Sequence, residues 1–134
     1  MASKETVSNP PPKAELPVGM LLAACIVPGG GHFWLRRWGR GAILLGAVGT
    51  MFLAGLLMEG RLFRLEPGNI VETLGFLGDL CSGLFYVVAK MGGHESAAVA
   101  SPIADYGTKF LLVAGLLNVL CVLDAYDIAV GNKD

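Results

Sequence analysis

Charge is scarce in this chain. Asp, Glu, Lys and Arg make up 16% of its 134 residues, against about 25% in an average soluble domain. The formal net charge is −1, so there is no basic field for nucleic acid. Cysteine numbers three, Cys25, Cys81 and Cys121, each inside an apolar stretch. An odd, widely spaced set is no disulfide framework, and without a Cys-x-x-Cys pair there is no zinc motif. Also missing are a Gly-x-x-x-x-Gly-Lys phosphate loop, a dinucleotide fingerprint, a Gly-x-Ser-x-Gly elbow and a His-Glu-x-x-His pair. The common soluble enzyme classes lose their usual residues, and neither a metal nor a cofactor is expected.

What is abundant is apolar side chain, at 54%, and glycine, at 19 residues. The few charges are also unevenly spread. The windows 17–35, 41–58, 73–89 and 110–123 hold half of the chain and a single charged side chain, Asp79. A small soluble globule lacks the polar surface to cover so much uncharged chain. The composition therefore predicts an all-α integral membrane protein, a bundle of about four helices in one domain over 17–131.

Residues 1–16 are polar and carry Pro10-Pro11-Pro12, which predicts a disordered or extended tail. Leu22-Ala23-Ala24-Cys25 has the look of a lipoprotein cleavage box. Lys4, Glu5, Lys13 and Glu15 leave no basic region ahead of it, so it is not read as a signal peptide. Helices are expected at about 17–28, 38–58, 70–91 and 102–130. The first is short and broken by Pro28 and the three glycines 29–31. Asn69 and Glu72 resemble a capping box, and Ser101-Pro102 is a serine cap followed by a first-turn proline. For four alternating spans the basic residues divide evenly between the two sides. Only the dense cluster Arg36, Arg37, Arg40 favours a cytoplasmic first loop.

The run Pro28-Gly29-Gly30-Gly31-His32-Phe33-Trp34-Leu35, then Trp38-Gly39-Arg40-Gly41, resembles the two-transmembrane-helix domain family. That family has a short helix, a glycine-rich turn with a histidine, an aromatic pair and a glycine-led second helix. Arg36 stands where the family usually has glycine. The ending, from Tyr106-Gly107 through Asn118 to Asp124-Ala125-Tyr126-Asp127, is similar to an uncharacterised group of bacterial membrane proteins. The resemblance implies a multi-pass protein of a bacterial cytoplasmic membrane and carries no defined activity.

Several residues could carry chemistry or packing. Glu72, Gly75, Asp79, Ser82 or Gly83, Tyr86 and Lys90 recur every three or four positions and form one polar or small stripe. Leu74, Leu77, Leu84 and Val88 form the opposite, lipid-suited face. A charged Asp79 at mid-helix costs about 2.5–3.5 kcal/mol on insertion scales, so it must face protein or water, be paired, or be protonated. Its two readings are a proton or ion relay and an interhelical hydrogen bond. Asn118 shares a face with Cys121 and Ala125, and contact with Asp79 at similar depth is expected. Asp124 and Asp127 are expected to cap or to be solvated rather than to ligate a metal.

In the second helix Ala42, Gly46, Thr50 and Ala54 repeat every four residues, with Gly49 and Gly55 nearby. Together they predict a smooth face for close helix approach. His32 is expected to cap the carbonyls of its turn; its other readings are a pH sensor, an anion site with Arg36 and Arg37, a cofactor ligand, or a partner of a carboxylate in lipid chemistry. His94 lies in a Gly/Ser loop and makes no haem pair with it. Arg36, Arg37 and Arg40 with Trp34 and Trp38 are expected to contact lipid headgroups. The sequence favours a small non-enzymatic accessory, assembly or scaffold subunit. Its partners would be membrane lipids and other membrane subunits or further copies of itself. The alternative is an oligomeric transporter or channel component with an Asp79 relay.

Overall fold

The structure, a computed structural model, describes residues 18–93 and 101–132. The polar tail 1–16 and His94 lie outside the described residues. Among those residues there are six helical segments: α1 (Val18–Ile26), α2 (Gly30–Trp34), α3 (Trp38–Leu57), α4 (Ile70–Leu80), α5 (Leu84–Met91) and α6 (Pro102–Val130). The fold is all-helical, as the composition implies. Two helices, α3 and α6, are each long and apolar enough to cross a membrane.

Local chemistry sets the ends. The Asn69 side chain accepts from the amides of Val71 and Glu72 and so caps α4. Ser101 accepts from the Ala104 amide at 3.1 Å, with Pro102 behind it, and opens α6. Gly131, at φ 81°, closes it. Gly29, at φ 78°, turns the chain out of α1 and into α2.

The expected helix 17–28 is therefore a hairpin. α1 runs in, Pro28-Gly29 reverses the chain, and α2 lies back against it. Gly19 near the start of α1 meets the Trp34 ring at the end of α2, 3.6 Å from where a Cβ would sit. The expected helix 70–91 is also two helices, α4 and α5, bent by 109° across residues 81–83. The cause is local. Gly83 sits at φ 63°, ψ −120°, a conformation that L side chains rarely adopt. Ser82 meanwhile turns its hydroxyl back onto the Asp79 carbonyl at 2.6 Å.

α3 and α6 are antiparallel. Gly55 and Gly60 near the end of α3 meet Gly107 near the start of α6. At the other end α2 joins the start of α3, through Phe33 and Gly41, to the last turns of α6, through His32 and Asp124. The core between them is Val48, Phe52, Leu62, Tyr86, Ala89, Leu111, Ala114 and Cys121. Lipid tails are as apolar as leucine, so such a core gains little from burial alone in hydrocarbon. Close backbone approach and polar bonds then decide the arrangement. A Cβ on Gly115 of α6 would fall on the Gly78 carbonyl of α4, so only glycine permits this crossing.

The middle of the expected stripe of the 70–91 segment survives the break, whereas Glu72 at its start is half-buried and Lys90 at its end is exposed. Gly75, Asp79, Ser82 and Tyr86 are buried, whereas Leu74, Leu77, Leu84 and Val88 face outward. The small residues of α3 divide differently. Gly55 faces α6 and Gly49 faces the Phe85 ring, whereas Gly46 has no neighbour within 4 Å of its Cβ position. Ala42 and Thr50 are exposed beside it.

Candidate functional site

The polar residues of the membrane-embedded part collect in two places. The first lies where the tips of the two hairpins touch. Gly83, at the turn between α4 and α5, lies against the carbonyls of Cys25 and Ile26 at the end of α1. Asn118, half-way along α6 and 1% exposed, sits beside this junction. Its amide group donates to the Cys81 carbonyl at 2.8 Å and to the Cys25 carbonyl at 3.4 Å. These carbonyls belong to the last turns of α4 and α1, where a helix leaves acceptors unmatched. One side chain thus satisfies the ends of two helices from different parts of the chain.

Asp79 lies in the last turn of α4 and is fully buried. Its Oδ2 accepts the Phe63 amide at 2.7 Å. Phe63 belongs to the non-helical segment 60–66, which lies against α4 and α6. Its ring rests against Gly75, and the neighbouring Arg61 amide donates to the Thr108 hydroxyl at 3.1 Å. The expected contact between Asp79 and Asn118 is not among the hydrogen bonds of the described residues. Both sit near the middle of the bundle, and each is taken up by backbone instead. Asp79 Oδ1 and Asn118 Oδ1 are buried without a hydrogen-bond partner.

The second place is the end of the bundle where α3 starts and α6 finishes. His32 is fully buried, and its Nε2 lies 3.0 Å from Asp124 Oδ2, 92 residues away. His32 does not cap its own turn, and Asp124 is neither a cap nor merely solvated. Together they tie the α1–α2 hairpin to α6. Gly31 makes the approach possible, because a Cβ there would press on Ala125 and Ala24. Around this pair lie Trp34 and Trp38, both exposed, with Arg36 and Arg40 exposed and Arg37 half-buried.

The remaining candidates stand apart. Glu72 pairs with Arg61 at 3.0 Å, and Lys90 lies over the Tyr86 ring, 5.9 Å from its centroid. Neither reaches Asp79 through these contacts. No group of three or more His, Cys, Asp or Glu side chains that could hold a metal occurs among the described residues.

Sequence reasoning singled out Asp79, Asn118, His32 and Asp124 but missed what they bind. Three of the partners, the Phe63 amide and the Cys25 and Cys81 carbonyls, are backbone atoms with no sequence signature. Arg61 and Thr108 were missed as well, and Thr108 carries a detectable signal as a hydroxyl within an apolar helix.

An all-helical chain with two membrane-length helices and buried polar ties defines a small membrane protein. Within that class, the chain belongs to the DUF6677 family, a family of unknown function whose model matches residues 19–134. No curated protein and no solved structure matches it.

Proposed function

We propose that this protein is a small non-enzymatic subunit of a bacterial cytoplasmic membrane, where it serves in assembly or as a scaffold for other subunits or further copies of itself. One observation carries the reading. The outer face of α3, Ala42, Gly46 and Thr50, is exposed with nothing against Gly46, whereas the buried polar side chains bind the protein's own elements. Small residues spaced by four let a second helix approach closely, the main route to helix association in lipid. The likeness of residues 28–41 to the two-transmembrane-helix domain signature supports the same multi-pass setting.

The test is purification in mild detergent followed by native mass spectrometry. The expected result is a stoichiometric assembly, with unrelated chains or with itself, that Gly46→Leu dissociates. A monomer before and after that substitution would overturn the reading.

A second reading, a component of an oligomeric transport pathway, is favoured by the meeting of two hairpin tips beside Asn118. Discontinuous helices ending near the bilayer midplane are a recurring device of ion-coupled carriers. Asp79→Asn separates the two readings. A scaffold keeps its assembly and has no flux to lose, whereas a relay loses ion flux into reconstituted vesicles while the fold survives.

A further inference from the structure

The arrangement of the helices regroups the basic residues that four alternating spans divide evenly. α1 starts where α2 ends, because Gly19 lies against the Trp34 ring. α2 leads into the start of α3, and its His32 bonds Asp124 near the end of α6. One end of the bundle therefore holds the entry to α1, the cluster Arg36, Arg37 and Arg40, and the exit from α6. At the other end Gly55 and Gly60 meet Gly107, and the Arg61 amide bonds Thr108 early in α6. α4 begins there too, since Arg61 pairs with Glu72 in its first turn.

Four alternating spans put Lys4, Lys13 and Lys133 opposite the arginine cluster. A hairpin that returns to its own side puts them with it. By their place in the chain Lys4 and Lys13 lead into α1 and Lys133 follows α6, so six of the ten Lys and Arg belong to the first end. Arg61, Arg64, Lys90 and Lys109 belong to the second. All six lie within about 15–20 residues of a membrane-embedded helix, the range over which positive charge sets orientation. Asp and Glu contribute little to that rule.

We infer that the arginine cluster, the entry to α1 and the exit from α6 all face the cytoplasm, and that the chain between α3 and α6 opens to the opposite side. The His32–Asp124 bond and the exposed Trp34 and Trp38 then stand at the cytoplasmic interface, and the Arg61–Glu72 pair stands at the outer one. Such an orientation rests on the cytoplasmic-membrane setting proposed above and adds to it the side from which a partner reaches each end.

The experiment uses the full chain in spheroplasts of a bacterial host, with Cys25, Cys81 and Cys121 changed to serine. One reporter cysteine is placed at an exposed position, Gly39→Cys or Glu66→Cys. A membrane-impermeant maleimide is expected to label Glu66→Cys in intact spheroplasts and Gly39→Cys only after lysis. The reverse pattern overturns the orientation, as does labelling of both before lysis. Arg36→Gln with Arg37→Gln leaves four basic residues on each side. With Gly39→Cys that pair is expected to give a mixed population, about half of it labelled before lysis. Full protection there removes charge as the cause and overturns the inference. A fluorescent protein that matures only in the cytoplasm, joined after Asp134 of the natural chain, checks the result without any substitution. It is expected to fluoresce, and a dark fusion in the membrane fraction overturns the orientation. Absence of the protein from the membrane fraction defeats the membrane setting as well, and fractionation before labelling distinguishes that failure from a reversed orientation.

Discussion

Asn118 donates from one amide group to two helix ends, so its loss is felt by two hairpins at once. Asn118→Leu leaves the Cys81 and Cys25 carbonyls without this donor. Interhelical hydrogen bonds in membranes average about 0.6 kcal/mol and reach about 1.7 kcal/mol, so the expected loss is about 1–2 kcal/mol. Unfolding of the purified protein in mixed detergent measures it, and an unchanged midpoint would remove Asn118 from the frame of the fold. Asp79 calls for a paired comparison. Asp79→Asn keeps an oxygen to accept from the Phe63 amide and is expected to stay near the natural stability. Asp79→Ala orphans that amide and is expected to cost about 1–3 kcal/mol. Arg36 illustrates the opposite case, a residue whose side chain opposes its backbone. It sits at φ 59°, in the left-handed region where an L side chain costs about 1–2 kcal/mol. The resemblance to the two-transmembrane-helix domain had already marked this position as one that usually holds glycine. Arg36→Gly is therefore expected to raise the unfolding midpoint. The gain is below the full strain, because glycine also loosens the unfolded chain. The residues of interest were thus legible in the sequence, because a charge or amide inside an apolar window is conspicuous. The partners of Asn118 and Asp79 were not, because a backbone carbonyl or amide looks the same at every position.

At the scale of elements, the sequence pattern was right about faces and incomplete about continuity. The three-and-four spacing from Gly75 to Tyr86 places the same residues inward whether the helix is whole or broken, since the two halves resume the same stripe after the turn, and only Lys90 at its end turns outward. Periodicity alone therefore could not reveal the 109° bend. The signal that could have done so is the pair Ser82-Gly83, which is weak in a chain with 19 glycines. Once seen, the bend has a sharp consequence for Gly83. Its φ of 63° penalises any Cβ, and that Cβ would also meet the carbonyls of Cys25 and Ile26 on the other hairpin. Gly83→Ala is expected to destabilise by at least about 1–2 kcal/mol from the backbone alone, with the clash added. Gly93→Ala is the control. It too has a positive φ, of 81°, but no neighbour within 4 Å, so it reports strain without contact. Equal midpoints for the two variants would mean that the hairpin tips do not press on each other.

For the whole molecule, the antiparallel pairing of α3 and α6 constrains everything between them. Gly55 and Gly60 meet Gly107, so the chain leaves α3 and enters α6 at the same end of the bundle. If both helices cross the bilayer, the segment from 58 to 101 crosses it an even number of times. The bent pair α4–α5 then cannot be a single span, because one crossing would deliver the chain to the wrong side. A lipid-exposed irregular loop cannot carry it back, since unpaired backbone is too costly in hydrocarbon. The pair must dip in and return, as α1 and α2 do from the other end. Counting apolar windows gives four spans, because a window of hydropathy does not distinguish a helix that crosses from a hairpin that turns back. Single reporter cysteines test this in a background with Cys25, Cys81 and Cys121 changed to serine. Glu66→Cys, Met91→Cys and Gly39→Cys all place the reporter at exposed positions. With a membrane-impermeant maleimide on vesicles of known orientation, Glu66→Cys and Met91→Cys are expected to label from one side and Gly39→Cys from the other. If Met91→Cys labels together with Gly39→Cys, the bent pair is a crossing. In that case α3 and α6 cannot both span, and the parity argument fails at its premise.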